Sequence, residues 1–259
     1  MKPSMRNLPS GTHPALGRRG GGHLKTKPSR ASRKSRKSEN GILSARPCRS
    51  IRPIRRGLHK LGAGGPRDGV FYVPDACRSG ASAPLILALH GAGGNGHDAI
   101  QSLRREADER GILLVAPDSR AVSWDAMKNG FGPDVDFIDL ALLEVFERCA
   151  VDSAHIAISG FSDGASYALS LGLANSDLFT HVIAFSPGFI RGAPERQKPR
   201  IYVSHGLNDL VFPPVRCARR IVSRLKSDGY DVQFQEFAGT HAVPQEISSA
   251  AVDWFLRRP

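Results

Sequence analysis

From about Gly57 onward the chain alternates short apolar runs with stretches of helical period, and this alternation leaves few folds open to it. Leu85–Leu89 (LILAL) and Ile112–Ala116 (ILLVA) are continuous apolar runs rather than period-two patterns. A strand that is apolar on both sides must be covered on both faces, as inner strands of a parallel sheet are. The spacing predicts strands at 70–73, 85–89, 112–116, 155–159, 182–185, 201–204 and 232–237, and helices at 136–148, 163–174, 214–226 and 244–256. The expected class is α/β, a mostly parallel central sheet with helices on both faces. The longest apolar runs are five residues; a membrane-spanning helix needs about 20, so no span is expected.

Composition argues against one broad class. The formal net charge of +12 suggests a nucleic-acid binder, but it is unevenly spread. Residues 1–60 carry 17 of the 36 Lys/Arg and only Glu39 among the acids, leaving 19 cations against 23 acids in the remainder. The body is mildly acidic and the basicity belongs to a tail, so nucleic acid is not an expected partner except through that tail. Residues 1–56 are rich in Ser, Arg, Lys, Gly and Pro, and Lys25–Lys37 holds seven cations and no acid. Such a segment buries too little apolar surface to offset its conformational entropy, and disorder is expected. Three readings of it stay open: a solvated tail or upstream sequence outside the true coding frame, an organelle-targeting peptide, or an arm for an anionic surface. The body is expected at 57–259. Cys48, Cys77, Cys149 and Cys217 are widely spaced, with no zinc-like pattern, and read as reduced thiols of a cytoplasmic protein.

Gly160-Phe161-Ser162-Asp163-Gly164 matches Gly-x-Ser-x-Gly, a weak signal alone in a chain with 27 glycines. Its setting strengthens it: the apolar run His155–Ser159 precedes it and a helical stretch follows, the strand–turn–helix context of a nucleophilic serine. The bland alternative is a glycine-rich turn with a capping serine. Upstream, the run Leu85–Leu89 ends in His90-Gly91-Ala92-Gly93-Gly94-Asn95-Gly96. Gly91, Gly93 and Gly96 also fit a dinucleotide-binding spacing, with Asp118 where a ribose would need an acid. That reading leaves Ser162 without a role. The alternative is a loop that offers a backbone N–H to an oxyanion, the donors being Ala92 and Asp163.

A serine nucleophile needs a base, and the base an acid to orient it. Where a parallel sheet carries such a serine, the chain order is Ser, then Asp or Glu, then His. Asp209 follows the run Ile201–Ser204, and His241 follows Val232–Phe237. Singly, a loop Asp is usually a cap and a loop His usually solvated. Together with Ser162 they stand in the required order, each after its own strand, on the sheet edge where ligands bind.

These segments, His90-Gly91-x-Gly93-Gly94, Gly160-x-Ser162-x-Gly164, His205-Gly206-x-x-Asp209 with Pro213 after it, and Gly239-x-His241-x-Val243-Pro244, resemble the phospholipase/carboxylesterase family of α/β-hydrolases, with poly(3-hydroxybutyrate) depolymerase-like and feruloyl-esterase-like proteins as near relatives. The resemblance covers about Gly57 to Phe255. It implies Ser162 as nucleophile, Asp209 as orienter, His241 as base, and the Ala92 and Asp163 amides as the oxyanion hole. It implies carboxylic-ester hydrolysis through an acyl-enzyme, with a small-molecule ester as substrate and no metal or organic cofactor. The stretch between the runs ending at Phe185 and starting at Ile201 is too short for a lid domain, so an open cleft is expected, walled by Trp124, Phe189, Leu210 and Phe212. Such a cleft suits small or accessible acyl groups. Two other readings stay open: a serine peptidase on the same fold, and a non-catalytic protein whose basic N-terminal arm binds nucleic acid.

Overall fold

The computed structural model describes residues 39–48, 55–77, 81–127, 130–191 and 197–257. In chain order the elements are β1 (Gly57–Lys60), β2 (Gly69–Val73), β3 (Ala83–Leu89), α1 (Gly96–Gln101), α2 (Arg104–Arg110), β4 (Leu113–Pro117), α3 (Pro133–Arg148), β5 (Val151–Phe161), α4 (Asp163–Ala174), β6 (His181–Phe185), β7 (Arg200–Gly206), α5 (Ala218–Ser227), β8 (Val232–Phe237) and α6 (Gln245–Leu256). The strands form one sheet in the order β1-β2-β4-β3-β5-β6-β7-β8. β2 runs antiparallel to both its neighbours, and all other pairs are parallel.

The apolar runs are continuous because the sheet separates two cores. Leu85, Leu87 and Leu89 of β3 face one core with Phe137, Ile138 and Val145 of α3 and Leu169 of α4. Ile86 and Ala88 face the other, with Ile100 of α1, Ala107 of α2, and Ala251 and Phe255 of α6. Every residue of Leu85–Leu89 is at most 2% exposed, and burying each leucine or isoleucine stabilises the fold by about 1.5–3 kcal/mol.

β3 has β4 on one side and β5 on the other. The connections leaving β3 and β5 diverge there and open a crevice at the carboxyl ends of the strands, the place such sheets bind ligands.

Some bounds differ from expectation for local reasons. α3 starts at Pro133 rather than Asp136, because proline is preorganised for a first helical position. α5 starts at Ala218, since Pro213 accepts turn hydrogen bonds from Arg216 and Cys217. β1, α1 and α2 were not expected. The connection 186–199 between β6 and β7 is too short for a lid domain. Among the described residues no helix is long and apolar enough to cross a membrane.

The body does not begin at 57. Residues 41–46, expected in a disordered tail, lie against α3 and α4. Leu43 and Ala45 are buried in the first core. Asn175, directly after α4 and fully buried, accepts from Leu43 N (2.7 Å) and donates to Gly41 O (2.6 Å) and Leu171 O (2.9 Å). Asp139 Oδ1 on α3 accepts from Ser44 N and Ala45 N, each at 2.7 Å. Two apolar side chains and a side-chain amide that satisfies the backbone hold a segment of tail-like composition. Residues 1–38, with the basic run Lys25–Lys37, lie outside the described residues.

Replacing Asn175 by Ala strands a buried amide and carbonyl, each worth about 1–3 kcal/mol. Asn175→Ala is expected to lower the urea midpoint accordingly and to speed chymotryptic cleavage after Leu43, which is buried in the wild-type fold; an unchanged midpoint and cleavage rate would mean that segment 41–46 is not part of the body.

Candidate active site

β5 ends at Phe161 and α4 begins at Asp163, so Ser162 must turn the chain within one residue. It does so at φ 58°, ψ −120°, a left-handed region that costs about 1–3 kcal/mol for a side-chain-bearing residue. The sheet and the helix both hold it there. Ser162 N donates to Phe185 O of β6 (3.0 Å), and Ser162 O accepts from Ala165 N and Ser166 N. The flanking glycines are a steric requirement: a Cβ on Gly160 would lie 2.2 Å from Gly164 O, and one on Gly164 would lie 2.4 Å from Leu89 O.

The ends of β7 and β8 approach as closely. A Cβ on Gly206 would lie 2.2 Å from Thr240 O. Leu207 N and Asn208 N donate to Phe237 O and Gly239 O, both at 2.9 Å. These contacts bring the two loops together, and their side chains meet. His241 Nδ1 lies 2.6 Å from Asp209 Oδ2, and His241 Nε2 lies 2.9 Å from Ser162 Oγ. A carboxylate only accepts, so Nδ1 carries the proton and the Nε2 lone pair faces the serine hydroxyl. Asp209 Oδ1 accepts from Val211 N (2.9 Å) and Phe212 N (2.8 Å). Burial pushes the Asp209 pKa up, but the His241 and Phe212 donors outweigh it and hold the carboxyl below its ordinary range. The serine is 8% exposed and the imidazole 16%, so both are mostly covered but still open to solvent.

Gly91 packs on Ser162: a Cβ there would lie 3.4 Å from Ser162 Cβ. Ala92 follows on an exposed turn, and Asp163 heads α4, where the first N–H groups have no intrahelical acceptor. The loop 119–127 grips this turn. His90 Nδ1 donates to Gly91 O (2.7 Å), and its Nε2 accepts from Ser119 N (3.0 Å). Burial keeps His90 neutral by pushing its pKa down. Trp124 Nε1 donates to His90 O (2.9 Å), Val122 O accepts from Gly93 N (2.7 Å), and Ser123 Oγ donates to Asp163 Oδ2 (2.6 Å). The grip is anchored to α3. Asp134 accepts from Arg120 N and Asp125 N while Asp125 accepts from Asp134 N. Desolvation raises the Asp134 pKa to about 6.

This arrangement corrects one expected cleft residue. Trp124 is 1% exposed and packs between His90 (4.9 Å) and Tyr167 (5.2 Å). Its indole fills the space beneath the His90 turn, so it supports the loop and does not wall the cleft. Phe212 is half-buried and presents its ring edge-on to His241 at 5.5 Å. Phe189 is half-buried, its N–H held by Ser166 Oγ of α4 (3.3 Å), and Leu210 is 91% exposed. The dinucleotide reading finds its acid occupied, because Asp118 Oδ1 accepts Gly96 N at the start of α1 (2.7 Å).

The comparison with solved structures decides the fold. Esterase PE8 superposes with a TM-score of 0.58 at 24% identity, covering 72% of this chain and 96% of its own. A ferulic acid esterase from Anaeromyces mucronatus gives 0.55 at 17% identity, covering 72% and 84%. The chain has the α/β-hydrolase fold. No protein-family model matches it. Within this chain, 174 residues are 34% identical to feruloyl esterase C of Emericella nidulans, over 64% of this chain and 62% of that protein. The chain thus spans about 62% of the length of the curated feruloyl esterases it matches. These relatives fall on the feruloyl-esterase-like side of the resemblance seen in the motifs.

Sequence reasoning missed His205 as a neighbour of Asp209, and the Ser119–Asp134 support. The sequence carried a signal for α1, since Asn95 and Asp98 form a capping box. It carried none for Trp124, whose role depends on which loop it lies under.

Trp124→Ala is expected to cost about 3–5 kcal/mol in urea unfolding, as a large core truncation does, and Leu210→Ala to stay within about 0.5 kcal/mol. Two equally small effects would put Trp124 back in the cleft wall.

Proposed function

We propose that this protein is a serine esterase that hydrolyses carboxylic esters of small or accessible acyl groups through an acyl-enzyme. The continuous hydrogen-bonded line Asp209–His241–Ser162 carries the reading. His241 Nε2 takes the Ser162 Oγ proton as the oxygen attacks the ester carbonyl carbon. The carbonyl oxygen becomes an oxyanion, which the N–H groups of Ala92 and Asp163 and the amino end of α4 stabilise. The C–O bond to the alcohol then breaks, and His241 returns the proton to the leaving oxygen. In the second half His241 deprotonates water, which attacks the acyl carbon and regenerates Ser162 Oγ–H. Asp209 stays ionised throughout, holds the imidazole tautomer and offsets the charge His241 gains.

Phe189, Leu210 and Phe212 form the apolar side of the cleft in this reading, with no lid domain among the described residues. The feruloyl esterases among the relatives make a hydroxycinnamoyl ester a natural test substrate beside short acyl esters. The four cysteines carry free thiols, which supports a cytoplasmic setting.

Wild-type protein is expected to hydrolyse p-nitrophenyl acetate and butyrate. Ser162→Ala should reduce the rate to the buffer level, and Asp209→Asn should lower kcat by about 10⁴-fold through the wrong imidazole tautomer. An undiminished rate in Ser162→Ala would overturn the assignment.

A further inference from the structure

Asp209 answers to two histidines, and only one belongs to the proton relay proposed above. His205, on β7 four residues before it, is fully buried. Its Nε2 lies 2.6 Å from Phe212 O and 3.1 Å from Asp209 Oδ2. A carbonyl oxygen can only accept, so Nε2 carries a proton and shares it between these two acceptors. Nδ1 is buried without a hydrogen-bond partner among the described residues. Burial pushes the His205 pKa down, and a neutral ring with its proton on Nε2 satisfies every contact.

We propose that His205 is a positioning residue for the acid–base pair: its Nε2–H ties Asp209 Oδ2 to the Phe212 carbonyl and so fixes the direction from which Asp209 meets His241. The proposal rests on the esterase reading. The bonds close a ring. Asp209 Oδ1 holds Phe212 N, Phe212 O holds His205 Nε2–H, and the same N–H returns to Asp209 Oδ2. The turn 209–212 alone fixes only Oδ1 and leaves the carboxylate free to swing Oδ2. His205 stops that swing and also holds the residue whose ring lies edge-on to His241. Its neutrality matters. A charged ring here would compete with His241 for the carboxylate and weaken the base. The other ionisable groups acting on this pair are Glu236, which is paired with Arg219, and the Cys217 thiol.

A test compares His205→Phe, which keeps a ring without the N–H, with His205→Gln, whose amide restores a donor. On p-nitrophenyl butyrate, His205→Phe is expected to lose about 10- to 100-fold in kcat with KM within about threefold. The acid limb of its kcat/KM profile should move to higher pH, because Asp209 then gives its full charge to His241. His205→Gln should recover most of both. A folded His205→Phe with wild-type kcat and an unmoved acid limb would overturn the proposal. A second measurement needs no fold-sensitive variant: ¹⁵N spectra of the imidazoles in Ser162→Ala should show His205 neutral with its proton on Nε2 from pH 6 to 8. A proton on Nδ1, or a charged ring, overturns the positioning role. The spectra do not depend on turnover, so they separate failure of this proposal from failure of the esterase reading.

Discussion

The site depends on one backbone contact. Gly164, at the start of α4, sits so close to the end of β3 that a methyl group would meet Leu89 O and His90 O at 2.4 and 2.5 Å. This proximity sets the amino end of α4 beside the His90 turn. It brings the turn that carries Ala92 close to the helix start that carries Asp163, the two proposed oxyanion donors, from elements far apart in sequence. Gly160 permits the matching approach beneath it, and the strained backbone at Ser162 follows from turning a strand into a helix in so little space.

The remaining parts are held by different physics. Asp209 and His241 are positioned by backbone contact between two strand ends, where Gly206 lies against the Gly239–Thr240 peptide. The Ala92 turn is positioned by side chains: His90, whose Nε2 accepts the Ser119 backbone N–H, Trp124 and, one step further out, the reciprocal Asp125–Asp134 pair. On one side of the serine lies a rigid sheet edge, and on the other a loop secured by buried polar groups. The polar groups are costly to bury and are nearly all satisfied, as a network must be if it is to hold one geometry.

The parts legible in the sequence were those whose cause is local. The inner strands announced themselves because burial on both faces demands unbroken apolar runs, and 163–174 and 232–237 match their elements end to end. The meeting of Ser162, Asp209 and His241 was legible because chain order and strand ends confine the three residues. Trp124 was misplaced, because an aromatic in a loop looks the same whether it lines a cleft or fills the space under a turn. Residues 41–46 were missed because Leu43 and Ala45 are too few to form a periodic pattern; their place comes from Asn175, more than 130 residues away. His205 looked like part of a motif, and only the fold shows that its N–H reaches the same carboxylate oxygen as His241.

The central claim is that Ser162 is an activated nucleophile. The most direct measurement is labelling with a fluorophosphonate followed by peptide mapping. The account predicts a single adduct on Ser162 that is lost when His241 is replaced by Ala. An adduct on another residue, or an unlabelled Ser162 in folded protein, would contradict it.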